Sequence, residues 1–167
     1  MIEIEESGVT FGPFQTDSIF QIEKSFNLPK YSKPVEFVFL SPNNRSLVLV
    51  EAKSSFSKPG NKFDFEKNLN EIYQKVVDSI AVLLCAQIGR HSKVFEELPE
   101  KIKSLNWANI DIKIRLVIPS FQAEWLPPIT DALRIKLRHF FQSTGIPKMN
   151  FQVLNEELAS KQNLLKT

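Results

Sequence analysis

Apolar residues recur along this chain with two periods, and the change from one to the other marks out its elements. Ile19, Phe20, Ile22 and Phe26 stand at roughly helical spacing, with Thr16 or Asp17 to cap and Asn27-Leu28-Pro29 to close, and so predict a helix over 16–26. Val35 to Leu40 and Leu47 to Lys53 are β-rich runs separated by the turn formers Ser41-Pro42-Asn43-Asn44-Arg45-Ser46, which predicts a hairpin. After a polar loop containing Pro59-Gly60, Phe65, Leu69, Ile72, Val76, Ile80 and Leu83 recur at steps of three and four. They predict a long helix over 64–88, ended by Gly89. A shorter helix is expected over 95–105, following the charged turn Arg90-His91-Ser92-Lys93.

Ile110 to Ile118 alternates and then turns continuously apolar, as a central strand does, and Pro119 stops it. Beyond Pro127-Pro128, Thr130 is placed to cap a helix to about 143, with Leu133, Leu137, Phe140 and Phe141 inward and Gly145 at its end. Met149 to Leu154 reads as a last short strand and Leu164 to Thr167 as a fraying tail. The order α, β, β, α, β, α, β predicts an α/β fold with a mixed sheet flanked by helices.

Composition narrows the class. The 167 residues, 43% of them hydrophobic, suffice for one domain (1–167) with a proper core. The single cysteine, Cys85, has no partner for an intramolecular disulfide, and its neighbours Val82, Leu83 and Leu84 place it on the buried side of a helix. The run Ile80 to Ala86 is too short to span a bilayer, and Met1 to Glu6 is acidic where a signal peptide is basic, so a cytoplasmic protein without a membrane anchor is expected. A net charge of +2 is too mild to identify a nucleic-acid binder, and positions matter more than totals.

The hairpin carries the chemistry. If its strands pair symmetrically about Asn43-Asn44, Leu40 faces Leu47 and the same register sets Glu36 opposite Glu51 on one face of the sheet, with Lys53 two residues beyond. Two carboxylates this close repel unless a cation neutralises them, and an all-oxygen ligand set suits Mg²⁺ or Mn²⁺. Such an ion polarises a phosphoryl oxygen, while Lys53 orients water or stabilises developing negative charge.

Pro34-Val35-Glu36, a turn, then Glu51-Ala52-Lys53 ending the next strand resembles the signature of the PD-(D/E)XK nuclease superfamily over about residues 16–120. The resemblance implies a restriction-endonuclease-like core of αβ(β)βαβ order. It also implies Glu36, Glu51 and the Ala52 carbonyl as metal ligands, Lys53 as the catalytic lysine and Glu23 as an auxiliary acid. The pattern departs from the family in having glutamate for aspartate at 36 and Val35 between the proline and the acid. One branch carries Gln-x-x-x-Tyr on the following helix; here the order is Tyr73-Gln74-Lys75, which does not match it. The family's activity is metal-dependent hydrolysis of DNA phosphodiesters leaving 5′-phosphates, in restriction, repair or antiviral defence. A homodimer or partner protein is then expected to supply target choice.

Other residues enter with ordinary readings beside the functional ones. A second acidic-x-Lys tripeptide, Asp111-Ile112-Lys113, begins its strand instead of ending it and reads as solvent-facing alternation. Lys58 and Lys62 on the loop, and Gln74 and Lys75 on the long helix, are candidate nucleic-acid contacts or simply solvated charge. Arg134, Lys136 and Arg138 are expected on the solvent side of the late helix, His91 and His139 at the surface, and Trp107 and Trp125 in packing. The alternative to a nuclease is a non-catalytic nucleic-acid-binding or assembly subunit on the same scaffold.

Overall fold

The computed structural model describes residues 1–166. Its centre is a five-stranded mixed sheet of β3 (Ile19–Phe20), β4 (Phe37–Leu40), β5 (Ser46–Ala52), β6 (Asp111–Val117) and β7 (Phe151–Leu154), in that order across the sheet. The pairs β3/β4 and β4/β5 are antiparallel, whereas β5/β6 and β6/β7 are parallel. A separate antiparallel pair, β1 (Ile2–Glu6) and β2 (Val9–Phe14), precedes it.

Alternation along the strands divides the core between the two faces of this sheet. Leu47, Leu49, Ile114 and Leu116 pack with Leu69, Ile72, Val76, Ile80 and Leu83 of α1 (Lys62–Gln87). The neighbouring positions Val48, Val50, Ala52 and Val117 pack beneath β1 and β2, against Ile4, Phe11 and Phe14. Asn61 caps α1 by accepting from the Asp64 N–H, and Gly89, at φ 82°, takes the left-handed conformation beyond its C-terminus. The helix therefore spans the apolar stripe read from its sequence. Cys85, on α1, is free and half-buried, more accessible than its apolar neighbours suggest. No helix among the described residues is long and apolar enough to cross a membrane.

Several elements differ from expectation. Residues 16–26 form no α-helix: two 3-10 turns, Thr16–Ser18 and Ile22–Lys24, flank β3. Ile19 and Phe20 pair with Phe39 and Val38 and send their side chains into opposite clusters, so an alternation of period two overrides the helical spacing. The unpaired edge of β4 rewards strand geometry there, and Phe26, which a helix would have buried, is exposed. The helix expected over 95–105 is two short ones, α2 (Ser92–Glu97) and α3 (Glu100–Lys103), separated by Pro99. The late helix starts earlier, at Leu126, because Pro127 and Pro128 fit its first turn, where no N–H is required. It breaks at Leu137 into α4 (Leu126–Lys136) and α5 (Arg138–Thr144).

The tail is not frayed over the described residues. After α6 (Glu156–Lys161), Leu164 and Leu165 are buried, and the segment runs beside β2. Gly12 N–H donates to the Leu164 carbonyl at 2.9 Å, Lys166 N–H donates to the Thr10 carbonyl at 2.9 Å, and Lys166 pairs with Glu3 at 3.0 Å. Gly12 sits at φ 106°, and a Cβ there would lie 2.9 Å from the Ile2 carbonyl oxygen, so only glycine allows this close crossing. Thr167, the last residue of the expected tail, lies outside the described residues.

Candidate functional site

The turn between β4 and β5 sets the geometry of everything that follows. Ser41 Oγ donates to Asn43 Oδ1 (2.7 Å) and accepts from Ser46 N–H (3.0 Å), while Asn44 takes a positive φ of 56°. The ladder then pairs Leu40 with Leu47 and Phe37 with Val50, and its next step sets Glu36, immediately before β4, opposite Glu51 in β5. Both lie at alternate positions with Val38 and Leu49, which pack on the α1 side, so the two carboxylates share that face at the end of the hairpin away from its turn.

Helix α1 completes the cluster. Lys75 places its Nζ 3.0 Å from each oxygen of Glu51 and 3.8 Å from Glu36 Oε1, so one ammonium reaches both acids. One turn earlier, Glu71 accepts a short hydrogen bond from Lys53, whose Nζ also lies 3.9 Å from Glu51 Oε1. On the other side of Glu36, the 3-10 turn Ile22–Lys24 brings in Glu23, and the end of β1 brings in Glu6. One carboxylate oxygen from each of Glu6, Glu23 and Glu36 lies within 4.8 Å of the others. Five carboxylates thus surround two ammonium groups.

Burial makes this cluster electrostatically costly. Glu51 is only 2% exposed, and its Oε1 accepts no hydrogen bond: Lys75, though equally near both oxygens, donates to Oε2. Loss of water pushes the Glu51 carboxyl from an ordinary 4.5 up to about 7, against the opposing pull of Lys75 and Lys53. Glu36 is pushed up to about 8, first by burial, then by a hydrogen bond shared with Glu23 and by the charges of Glu51 and Glu23. For Lys75, burial works against its charge, but Glu51, Glu36 and Glu23 together hold its pKa above the ordinary lysine value. Near neutral pH Glu36 and Glu51 consequently hold more protons than two free glutamates would, chiefly because burial disfavours their charged forms.

The remaining residues singled out from the sequence fall elsewhere. Ala52 ends β5 with its side chain on the opposite face of the sheet, so only its backbone is available to the cluster. Lys58 lies over the Trp125 ring, 3.4 Å from its centroid, and Lys62 is an exposed residue at the start of α1. Gln74 donates to Asp78, which also accepts from Lys33 N–H; it braces the loop before β4 and does not join the acids. Lys75 belongs among the carboxylates instead of on a solvated face.

Arg134 is not solvent-directed: its Nε and Nη2 donate to the Phe151 carbonyl, tying α4 to β7. Lys136, partly buried, pairs with Glu66 on α1, while Arg138 and His139 are exposed and His91 is half-buried at the start of α2. Trp125 packs edge-on against Phe121 (5.3 Å), and Trp107 packs partly buried against the core.

Two cluster members escaped sequence reading. Glu71 stands four residues before Lys75, a spacing that puts both on one face of α1, and that signal was available. Glu6 had none, because it arrives only through the separate β1/β2 pair. No family model, curated protein or solved structure matches the chain.

Proposed function

We propose that this chain is a metal-dependent nuclease that hydrolyses phosphodiester bonds in DNA, on a restriction-endonuclease-like core. The observation that carries the reading is that one ammonium, Lys75 Nζ, reaches both Glu36, just before β4, and Glu51 in β5, with Lys53 beside them. A divalent cation fits the donors present. They are all oxygens, negative charge exceeds positive, and Glu51 Oε1 is a buried acceptor without a hydrogen bond. Glu36 and Glu51 would hold Mg²⁺ or Mn²⁺, supported by Glu23 and Glu6, with the Ala52 carbonyl as the further ligand that the PD-(D/E)XK resemblance implies. When bound, the ion supplies Lewis-acid activation of the phosphoryl group and of water.

The chain's own groups do the rest. Lys53, partly exposed at the end of β5 and held by Glu71, is placed to donate hydrogen bonds to a phosphate oxygen or to an attacking water. Lys75, buried more deeply between Glu36 and Glu51, keeps these acids from repelling one another before the cation arrives and partly screens their charge from an approaching phosphate. Exposed Lys58, on the loop that leaves this strand end, and exposed Lys62, the first residue of α1, can meet the backbone of a nucleic acid.

Cleavage of plasmid and of labelled oligonucleotides with Mg²⁺ or Mn²⁺ tests the proposal. Wild type should cut, whereas Lys53→Ala and Glu51→Ala should lose at least a hundredfold in rate while remaining folded by circular dichroism. Equal cleavage by both variants would refute the site. Metal-independent DNA binding without cleavage under any condition would favour a non-catalytic binding or assembly subunit on the same scaffold.

A further inference from the structure

The sheet's other face carries a second, differently charged feature. Between β2, the C-terminal segment and the turn-proximal ends of β4, β5 and β6 lies a recess of about 470 Å³. Three cations line it, Lys101 of α3 and Lys113 and Arg115 of β6, and its lining contains no aspartate or glutamate. Its apolar wall is made by Phe14 and Phe39, whose rings lie 4.6 Å apart, and by Leu164. An adjoining recess of about 500 Å³ shares Leu40, Asn44 and Lys101 with it, adds Arg45, and again has no acid in its lining.

Arg115 is the unusual member, because a guanidinium only 8% exposed is seldom placed in a protein without purpose. Its Nε donates to Gln162 Oε1 (2.8 Å) and its Nη1 to the carbonyls of Ile114 (3.0 Å) and Asn150 (2.7 Å). These three bonds fix the guanidinium plane, and no carboxylate is paired with it within salt-bridge distance among the described residues. Lys101 pairs with Asp17 at 3.0 Å and donates to Gln15, while Lys113 stands 3.6 Å from Asp111. Those two acids lie outside the lining, and partly exposed pairs of this kind are weak enough for a multiply charged anion to displace. The recess is separated from the carboxylate cluster by the sheet itself and by the run from Ser46 to Glu51, about 16 Å of strand.

From this arrangement we infer that the recess binds a nucleoside monophosphate or an organic phosphate of similar size. The phosphate sits at Lys101, Lys113 and Arg115, and the flat apolar part lies along Phe14, Phe39 and Leu164. The volume lies within the usual range for small-molecule sites, and the combination of a positive end with an aromatic wall matches a ligand of two such parts. Because the carboxylate cluster is on the opposite face, binding here requires no divalent cation. The inference does not depend on the nuclease reading.

Isothermal titration calorimetry of the full chain with AMP, GMP, dTMP, adenosine, inorganic phosphate and a 5′-phosphorylated dodecanucleotide, in EDTA, tests it. A backbone amide NMR map of AMP addition locates the site. At least one nucleotide should bind with a sub-millimolar Kd, at least tenfold tighter than adenosine or inorganic phosphate, and should shift the amides of Gln15, Asn44, Lys113 and Arg115. Lys113→Glu, a surface change that leaves the core intact, should weaken binding at least tenfold, as should Lys101→Glu. Absence of nucleotide binding, equal binding of inorganic phosphate, shifts centred on Glu51 and Lys53, indifference to both charge reversals, or preference for the oligonucleotide would each overturn the assignment.

Discussion

Replacing Glu51 with glutamine should stabilise the metal-free protein at pH 8 while abolishing its response to Mg²⁺. The folded state holds the Glu51 proton up to about pH 7, against 4.5 for an ordinary glutamate. A carboxyl whose pKa is raised by folding contributes stability fully present below the unfolded value and lost as pH rises through the folded one. For Glu51 alone, linkage between these two values makes wild type about 2.5 kcal/mol less stable at pH 8 than at pH 5. Glutamine keeps the shape of the protonated acid and cannot ionise, so the variant escapes that loss. The gap between variant and wild type should therefore widen by about 2.5 kcal/mol from pH 5 to pH 8, or about 5–10 °C in Tm for a chain of this length. Urea unfolding at both pH values in EDTA, alongside thermal melts with and without 10 mM MgCl₂, measures it. Mg²⁺ should raise the wild-type Tm at pH 8 and leave the variant unmoved. If the variant is instead less stable than wild type at pH 8 by a margin that grows with pH, Lys75 outweighs burial, folding lowers the Glu51 pKa instead of raising it, and the account of its burial is wrong.

Lys75→Met removes the ammonium between Glu36 and Glu51, and should cost about 2–4 kcal/mol at pH 8 but much less at pH 5.5, where both acids are protonated; urea unfolding at the two pH values checks the contrast. Glu23→Gln removes one neighbouring charge and offers Glu36 an N–H donor, so the Glu36 titration midpoint, read from its carboxyl ¹³C shift, should fall below its starting value of about 8. Phe11→Ala empties the contact in which Phe11 packs against Phe37 at 5.3 Å, and should cost about 3–5 kcal/mol in chemical denaturation. Gly12→Ala should lower Tm as well, since its Cβ would press on the Ile2 carbonyl; an unchanged melt would show that the β1/β2 crossing can relax.

The parts of this fold that could be read from the sequence are those in which one local rule is unopposed. The register of the hairpin follows from apolar runs of nearly equal length closing on Asn43 and Asn44, and that register suffices to oppose Glu36 and Glu51. The stripe of α1 is similarly unambiguous. Residues 16–26 obey two rules at once, a helical spacing and an apolar pair, and the open edge of β4 decided between them, which no local pattern reports. Glu23 nevertheless lies beside Glu36, because the turn Ile22–Lys24 delivers it by a different backbone route. The β1/β2 pair was not among the expected elements, although Ile2-Glu3-Ile4-Glu5 alternates ahead of Ser7-Gly8, both at positive φ in the turn. Its docking through Phe11 and Phe14, and the delivery of Glu6, required the tertiary fold.

The C-terminal segment along β2 gives the two faces of the sheet different histories during folding. The carboxylate cluster draws, Glu6 apart, on residues 23–75, so it can assemble from neighbours in the chain soon after the hairpin and α1 meet. The cationic recess needs Phe14, Lys101, Arg115 and Leu164 together, and closes only when the last stretch of chain returns to the first. Shortening the chain by the six residues from Gln162 onward should therefore open the recess first, and leave the acids on the far face the last part of the sheet to notice.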